Sequence, residues 1–316
     1  MNKENIIVYV SSRNNYDMLE GEVFKNINFE GFEFINIDDR SSEEEIKKGK
    51  LICKDKNVQF IRNKGAGVQM ATQTLIDFIN QNRPNCKWII CFQHDNYPLT
   101  KDFFTQISNY ISKGSLDNFA VLGFNHLDFW DYTGFSYYKY ILGFKPIGMV
   151  GIPHLSYLKN NKWLCARQYG KILRNPNWRK PFLVEFPVWP SVGINIKLWN
   201  EFIQPTEEYE FHLWLPDIAF QFIKNEIENI IIPDLYCLNH QRLKNKYNIN
   251  VNSAIGAKEG NEYHFGKYSN LNAWKNRWGW DFANSKSSYK PKYDNSLMDE
   301  FYFHDISKGP LKNYTL

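Results

Sequence analysis

The feature that most constrains this sequence is the apolar run Trp88–Phe92, which ends abruptly on the four polar residues Gln93–Asn96. An unbroken apolar run of this length predicts a strand buried on both faces of a sheet. Pro98 then opposes simple continuation of that strand. In open α/β sheets ligands bind just beyond the carboxyl ends of strands, so these side chains suit a cation with a phosphate-bearing ligand. A solvated turn after a core strand is the alternative, and this stretch alone leaves both open.

The residues before this run repeat a strand–helix pattern. Strands are predicted over Ile6–Val10, Phe32–Ile37 and Val58–Ile61, and helices over Tyr16–Lys25 and Val68–Gln81. The strands lead into polar or glycine-bearing turns, which contain Ser11 and Ser12, Asp38 and Asp39, and Gly65 and Gly67. Residues 1–105 therefore have the layout of an α/β nucleotide-binding half.

Two of these turns have more than one interpretation. Asp38 and Asp39 can hydrogen-bond a ribose or a base N–H, but they can equally precede a helix whose start is signalled by Ser42. The glycines before the helix that begins near Val68 would let backbone approach a phosphate. The pattern there is neither a P-loop nor G-x-G-x-x-G, so taken alone it is weak evidence.

Composition narrows the class of protein. The chain has 316 residues, 43% of them hydrophobic and 23% charged, which is typical of a globular protein with a sizeable core. A net charge of +4 permits an anionic substrate without demanding nucleic acid. Five scattered cysteines with no C-x-x-C pair favour a reducing compartment over a zinc site. No signal peptide or membrane-length apolar run is visible, so we expect a cytoplasmic protein, either free or peripheral to a membrane.

The middle of the chain is predicted less clearly. Short strands are predicted over Phe119–Phe124 and Ile147–Ile152. The stretch Trp163–Arg179 interleaves basic and aromatic residues, a pattern that suits nucleic acid or an anionic glycan. A solvated helix face has the same composition, so both interpretations stay open. A further strand, Ile230–Leu238, runs into Asn239 and His240.

The order of these segments resembles the GT-A-fold glycosyltransferases, especially the large family 2-like group. The resemblance rests on IIVYVSSRNN, FEFINIDDRSSEE, VQFIRNKGAGVQMATQTLI and WIICFQHDNYPLTKDFF, and it resumes at Glu185–Ile223 and Tyr268–Trp280. It implies an α/β fold, a GT-A-type Rossmann-like mixed sheet flanked by helices. It also implies a glycosyltransferase domain over 1–245, with a nucleotide-sugar half (1–105) and an acceptor half (106–245). An aromatic and basic carboxyl-terminal extension (246–316) would pack on it.

The resemblance also implies site residues. Asp95 and His240 would hold a divalent cation, Mn²⁺ or Mg²⁺, and Asp217 would be the general base. Trp189 and Gly193 would contact the acceptor. The nucleotide-sugar would lie against Ser11, Ser12, Asp38, Asp39, Gly67, Gln93 and His94.

The sequence departs from the family pattern at three places. Gln93 stands where the metal motif D-x-D has its first acid, so Asp95 is the only carboxylate there. Pro216 stands where an acid usually precedes the base, and the helix after Gly67 lacks a frequent arginine. These departures bear on the metal site more than on the fold.

The function that follows from the resemblance is transfer of a hexosyl or pentosyl group, with inversion, from a UDP-linked donor to a hydroxyl group. The acceptor would be a glycan, a lipid-linked glycan or a hydroxylated base in DNA. One rival is a nucleotidyltransferase, but SSRNNYDML lacks the Gly-rich loop with Arg or Lys that this class shows after its first strand. Another rival is a non-catalytic glycan- or nucleic-acid-binding protein, an interpretation that the missing first acid of the D-x-D motif suggests.

Overall fold

The structure is a computed structural model that describes residues 3–127, 135–146, 148, 151–152, 181–184, 186–188, 190–209, 213–239 and 271–278. The strands in these ranges are β1 Ile6–Ser12, β2 Glu33–Asp38, β3 Gln59–Arg62, β4 Trp88–Gln93, β5 Asn96–Pro98, β6 Phe119–Leu127, β7 Gly151–Ile152, β8 Phe182–Val184, β9 Phe186–Pro187, β10 Ser191–Asn195 and β11 Glu228–Asn239.

The helices alternate with the strands through the first half of the chain. They are α1 Tyr16–Met18, which runs into a π-helical turn Leu19–Phe24, α2 Glu43–Asp55, α3 Gly67–Asn82, α4 Phe103–Ser112, α5 Phe135–Ile141, α6 Ile196–Phe202, α7 Trp214–Lys224 and α8 Leu271–Trp278. A short 3₁₀ turn, Lys3–Asn5, precedes β1. The predicted start of α2 is confirmed, because the Ser42 side chain accepts a hydrogen bond from the Glu45 backbone N–H.

Nine of the described strands form one mixed sheet in the order β3-β2-β1-β4-β10-β6-β11-β5, with β8 paired to β11. Strands β1 to β4 pair in parallel, and β10 lies antiparallel between β4 and β6. Strand β11 is again parallel to β6. The carboxyl ends of β1, β2, β4, β6 and β11 therefore meet at one edge of the sheet. The predicted fold class, a mixed α/β sheet flanked by helices, is confirmed.

The core has two layers, one on each face of the sheet. Val8, Val10 and Phe92 contribute to one layer, and Tyr9 and Cys91 to the other, as the alternation of side chains along a strand requires. Helices cover both faces, so successive residues of β1 and β4 are all buried. The predicted double-sided burial of Trp88–Phe92 is confirmed.

Two local predictions, the end of the strand at Gln93 and the end of the strand at Phe124, differ in detail from the structure. Instead of ending at a turn before Pro98, the chain reverses at His94 and Asp95 and forms β5, which pairs antiparallel with β11. The helical stretch expected over Tyr16–Lys25 is confirmed, with a π-helical turn, Leu19–Phe24, inside it. The strand expected to end at Phe124 continues to Leu127. Of the stretch Ile147–Ile152, Gly151–Ile152 form the strand β7, and residues 147, 149 and 150 lie outside the described ranges.

The described residues contain no helix that is both long and apolar enough to span a bilayer. Of the expected carboxyl-terminal extension, only α8 lies in the described part. Its Trp274 is fully buried and packs edge-on against Phe220 of α7. The stretch Trp163–Arg179, Trp189 and His240 lie outside the described residues.

Candidate active site

Strand register brings the predicted polar residues of three strands to one edge of the sheet. Ser12 at the end of β1 pairs with Asp38 at the end of β2, and Ser11 pairs with Gln93 at the end of β4. Asp38 is in turn opposite Arg62 at the end of β3. Residues that are up to 82 positions apart in the chain, Ser11 and Gln93, are thus neighbours at this edge.

Asp38 is fully buried in a polar network below this edge. One carboxylate oxygen, Oδ2, accepts a hydrogen bond from the Tyr16 hydroxyl at 2.7 Å, and Oδ1 lies 3.0 Å from Arg62 Nε. Ser12 Oγ lies 2.8 Å from Asn36 Oδ1 and donates to it, and Tyr16 Oη lies 3.0 Å from Ser12 Oγ. The desolvation of Asp38 is therefore compensated by protein partners.

Asp39 joins this edge to the start of α3. Its Oδ1 accepts hydrogen bonds from Asn63 Nδ2 at 2.9 Å and from the Gly67 backbone N–H at 3.1 Å. Gly67 has φ +80°, a backbone conformation that glycine adopts without strain. Burial raises the pKa of Asp39, although the hydrogen bonds from Asn63 and Gly67 and the nearby Arg40 act to lower it. A carboxylate at a helix amino terminus is also favoured by the helix dipole.

The turn between β4 and β5, two strands that pair with different neighbours, carries polar atoms that have no partner within the protein. They are Gln93 Nε2, Asp95 Oδ1 and Asn96 Oδ1, all buried at the atom level. Asn96 is fully buried, and its Nδ2 donates to the Leu238 carbonyl at 2.9 Å, which fixes the orientation of the side chain. An unpaired buried donor or acceptor costs about 1–3 kcal/mol, so such a cluster indicates a site that a ligand completes.

His94 lies in the same turn. Burial lowers the pKa of His94, whereas neighbouring Asp95 and a hydrogen bond from its ring to the Ser11 backbone carbonyl raise it. The net shift is downward, so the neutral imidazole is favoured. A neutral ring bonded to Ser11 orients the tip of β4 against the tip of β1.

The unpaired oxygens fit a divalent cation. Asp95 Oδ1 and Asn96 Oδ1 are the carboxylate and amide oxygens that Mg²⁺ and Mn²⁺ prefer, and Gln93 Nε2 can donate to an anion beside them. Within the described ranges no three His, Cys, Asp or Glu residues cluster as a ready-made metal site. Asn96 pairs with Asn239, and these two residues adjoin Asp95 and His240 in the sequence. Asn96 was not predicted as a ligand.

Asp217 lies in the first turn of α7, fully buried, with four donors around its carboxylate. Oδ2 accepts from Gln69 Nε2 at 3.0 Å and from Gln221 Nε2 at 2.9 Å. Oδ1 accepts from Trp278 Nε1 at 2.9 Å and lies 3.3 Å from Arg277 Nε. The carboxylate thus joins α3, α7 and α8.

The two oxygens of Asp217 differ in their surroundings. Gln69 and Gln221 are buried, whereas Arg277 is 26% exposed and Trp278 is half-buried. Burial raises the pKa of Asp217, and Arg277 and the three hydrogen bonds act to lower it. Oδ1 is therefore the oxygen whose partners are nearer to solvent. The other oxygen, Oδ2, is bonded to Gln69, which lies two residues after Gly67 in α3.

Gly193, predicted to contact the acceptor, lies inside β10. A Cβ atom there would come within 3.1 Å of the Ile90 and Leu122 side chains, so glycine permits close packing between β4 and β6. Gly193 pairs with Ile90, three residues before the polar tip of β4. Its position in the interior of the sheet accounts for glycine without an acceptor.

Sequence reasoning missed His126 and Ser191, which also reach this edge. His126 near the end of β6 is fully buried, and its Nε2 lies 3.3 Å from the Ser191 carbonyl at the start of β10. Burial lowers the pKa of His126 to about 3, so the ring is neutral. The signal was available, because Asn125 and His126 follow the apolar run Phe119–Phe124 just as Gln93 follows Phe92.

Comparison with known proteins returns glycosyltransferases by structure and nothing by sequence. No family model and no curated protein matches the chain. GalNAc-T7 solved with UDP, GalNAc and Mn²⁺ is 13% identical (TM-score 0.48), covering 74% of this chain and 43% of that one. The mannosyltransferase PcManGT of Pyrobaculum calidifontis, solved with GDP-Man and Mn²⁺, is 10% identical (TM-score 0.44), with 74% and 56% covered. Glucosyl-3-phosphoglycerate synthase of Mycobacterium tuberculosis is 11% identical (TM-score 0.41), with 72% and 68% covered.

These neighbours belong to the class of fold that the sequence resemblance implies. The chain spans about half the length of the first two. At 10–13% identity the likeness concerns the fold alone.

Proposed function

We propose that this chain is a glycosyltransferase that moves a sugar from a nucleotide-sugar donor, UDP-linked, to an acceptor hydroxyl. The observation that carries the proposal is the set of unpaired atoms at the turn between β4 and β5: Gln93 Nε2, Asp95 Oδ1 and Asn96 Oδ1. Two oxygens beside one N–H donor match a cation bound next to a phosphate. They lie at the carboxyl edge of the sheet, where α/β folds bind nucleotides.

In this proposal Asp95 and Asn96 would hold Mn²⁺ or Mg²⁺, and His240, which follows Asn239 in the sequence, would complete the set. When bound, a divalent cation neutralises the charge that develops on the leaving nucleotide diphosphate. Gln93 then donates to a phosphate oxygen. His94 positions this group through its bond to Ser11.

The nucleotide is proposed to lie along the tips of β1 and β2 and the start of α3. Ser11 and Ser12 would contact the nucleotide there, and Gly67 lets backbone approach it at the start of α3. Asp39 already caps that helix start through the Gly67 N–H, so it would act mainly by holding the turn. Asp38 Oδ1 already has Arg62 and the Ser41 backbone N–H as partners, and Oδ2 has the Tyr16 hydroxyl. Of these three partners Arg62 is the half-exposed one, so a base would bind Asp38 by sharing Oδ1 with Arg62.

Asp217 is proposed as the general base of an inverting transfer. A base has to be ionised and within hydrogen-bond reach of the acceptor hydroxyl. Burial raises the pKa of Asp217, and Arg277 and the hydrogen bonds from Gln69, Trp278 and Gln221 act against that rise. Oδ1, on the side of half-buried Trp278, is the oxygen that an acceptor would reach. The hydroxyl proton moves to Oδ1 as the hydroxyl oxygen attacks the anomeric carbon and the bond to the diphosphate breaks.

The deciding experiment is Asp95→Ala, assayed by donor hydrolysis with Mn²⁺ and by calorimetry with UDP. Oδ1 of Asp95 has no internal partner, so the variant should keep its melting temperature within about 1–2 °C while losing metal-dependent UDP binding at least tenfold. Asp55→Ala, an exposed aspartate paired only with Lys56, is the matched control and should change neither. Full UDP binding and hydrolysis in excess EDTA, or in Asp95→Ala, would refute the metal role.

A further inference from the structure

The turn between β4 and β5 joins two strands that are far apart in the order of the sheet. Three strands, β10, β6 and β11, lie between them. At the usual spacing of neighbouring strands, the four steps from β4 to β5 across a flat sheet would cover roughly 19 Å. Gln93 ends β4 and Asn96 begins β5, and three extended residues span at most roughly 11 Å. The sheet therefore has to narrow at this edge, and the residues that narrow it determine where the turn lies.

His126 lies where the sheet narrows. The ladder between β10 and β6 ends at the pair Val192 and Gly123, whereas β6 continues to Leu127. His126 is on this continuation, and its Nε2 lies 3.3 Å from the Ser191 carbonyl oxygen and 3.4 Å from Ser191 Oγ. Ser191 is the first residue of β10. The imidazole ring therefore holds the end of β6 against the start of β10, beyond the last backbone pair of that ladder.

The tautomer of His126 follows from these contacts. A backbone carbonyl can only accept a hydrogen bond, so Nε2 carries the hydrogen and donates it. Burial lowers the pKa of His126 to about 3, so at neutral pH the ring keeps this single hydrogen. Burial raises the pKa of the Cys237 thiol on β11, and a hydrogen bond with the Ser191 side chain acts to lower it. His126 is thus connected to β10 directly and to β11 through Ser191.

The Gln93 end of the turn is attached to β10. The Gln93 backbone N–H donates to the Pro190 carbonyl at 3.0 Å, and Pro190 directly precedes Ser191. His126 therefore holds the residue next to the one that accepts the last N–H of β4. A displacement of Ser191 would move the backbone of Gln93 and, with it, the unpaired Nε2 atom.

The Asn96 end of the turn is attached to β11. Asn96 Nδ2 donates to the Leu238 carbonyl at 2.9 Å. Leu238 directly follows Cys237, which pairs with His126 in the parallel ladder of β11 and β6. Asp95 lies between the two attached ends, and its Oδ1 has no partner within the protein. The position of that oxygen relative to Asn96 therefore depends on the two attachments.

We propose that His126 is the positioning residue for the site that Asp95 and Asn96 form for a divalent cation. In this role the ring contacts neither the cation nor the nucleotide. It connects β6, β10 and β11 at this edge and so sets the separation between the two ends of the turn. This inference rests on the proposed function. It also accounts for a polar ring at a fully buried position of β6.

Metal binding measures this role without any turnover. Mn²⁺ titrations with saturating UDP, followed by the electron paramagnetic resonance signal of free Mn²⁺, give the affinity for the cation. Removing a group that orients metal ligands typically weakens metal binding about 10–100-fold, so His126→Leu should lose at least about tenfold in Mn²⁺ affinity. UDP affinity in excess EDTA, measured by calorimetry, should be unchanged, because the unpaired oxygens serve the cation.

Two controls separate positioning from stability. His126→Gln keeps an N–H donor that reaches the position of Nε2, so it should restore Mn²⁺ binding to near the wild-type level. Asn5→Leu removes a buried side chain that accepts a hydrogen bond from Ser108 at the opposite edge of the sheet. It should lower the melting temperature as His126→Leu does and leave Mn²⁺ binding unchanged. If His126→Leu does not fold, His126→Asn, whose amide is too short to reach the position of Nε2, replaces it and should show the same loss.

The outcomes also separate this inference from the proposed function. Mn²⁺ binding by His126→Leu at the level of Asn5→Leu, or no restoration by His126→Gln, would make His126 a structural residue of the sheet and overturn the inference. A loss of metal-free UDP affinity as large as the loss of Mn²⁺ affinity would overturn it as well, because the whole edge would then have shifted. A wild type that binds neither UDP nor Mn²⁺ would refute the glycosyltransferase itself, and with it the site that His126 positions.

Discussion

Replacement of Asp217 by asparagine changes one oxygen to an NH₂ group in a carboxylate that now receives four donors. Gln69 and Gln221 donate hydrogen bonds to Oδ2, Trp278 donates one to Oδ1, and Arg277 Nε forms an ion pair with Oδ1 at 3.3 Å. The introduced amide has a single oxygen, so one of the two pairs of donors must lose its acceptor. The amide groups of the glutamines cannot simply flip, because Gln69 Oε1 accepts from the Thr206 N–H and Gln221 Oε1 from the Gln204 N–H.

The less costly orientation of the new amide group determines how much the free energy of unfolding falls. With its oxygen toward the buried glutamines, the new amide would face Trp278 and Arg277, which are partly exposed and can recover water. Each unsatisfied donor costs about 1–3 kcal/mol, and the lower half of that range applies to groups that reach solvent. We therefore expect a loss of about 2–3 kcal/mol in the free energy of unfolding. For a domain of this size that corresponds to roughly 4–12 °C in melting temperature.

Urea unfolding followed by far-UV circular dichroism measures this loss, and turnover of the donor measures the chemistry on the same sample. At a temperature where the variant is fully folded, UDP affinity should be unchanged while turnover falls on the order of 10²-fold or more, because the base is absent. Asp77→Asn is the matched control, since that carboxylate lies on the exposed side of α3 and contacts Gln73 and Lys64. Its stability should stay within about 0.5 kcal/mol of the wild type.

Two results would refute the reasoning about Asp217. A variant as stable as Asp77→Asn would show that the four-donor network does not exist in solution. A variant that loses stability but keeps wild-type turnover would leave Asp217 a structural link between α3, α7 and α8, with the base elsewhere.

Two further predictions follow from the same edge of the sheet. Because burial raises the pKa of Asp217 and Arg277 lowers it, Arg277→Gln should raise that pKa further and move the acid limb of the pH–rate profile to higher pH. An unchanged acid limb would show that Arg277 does not affect the pKa of the catalytic base. Asp38→Asn should weaken UDP binding by about tenfold in calorimetry, with some loss of stability because Tyr16 and Arg62 lose a charged partner. Unchanged affinity would place the base pocket elsewhere.

Much of the fold was predictable because apolar periodicity reports burial. Trp88–Phe92 and Ile6–Val10 are continuous apolar runs, and both are strands with helices on either face. The turn after Gln93 and the strand β5 that follows it were not predictable from the same signal. Pro98 forbids a ladder N–H, but at the end of an edge strand that group is not required, so β5 forms against β11. Strand pairing between residues 96 and 239 depends on tertiary contacts, which no local pattern contains.

The candidate site was predictable only in part. Polar residues after apolar strands identified Ser12, Asp38 and Gln93, and strand register places these tips side by side. The partners that decide what each side chain can do come from distant segments. Gln69 and Arg277, which hold Asp217, are 148 and 60 residues away from it. Neither has a sequence signal that distinguishes it from an exposed polar residue.

The two ends of the candidate site differ in how completely the protein satisfies them, and this orders the steps of a reaction. At the turn between β4 and β5, Asp95 Oδ1 and Asn96 Oδ1 lack partners, so a cation and nucleotide gain contacts there without displacing an existing hydrogen bond. At Asp217 both oxygens are already paired, so an acceptor hydroxyl has to replace a partner at Oδ1, where Trp278 and Arg277 are both partly exposed. Donor binding should therefore come first, with the acceptor entering only as α8 gives up its hydrogen bond to Oδ1. We therefore expect turnover to depend on α8, the described helix of the carboxyl-terminal segment.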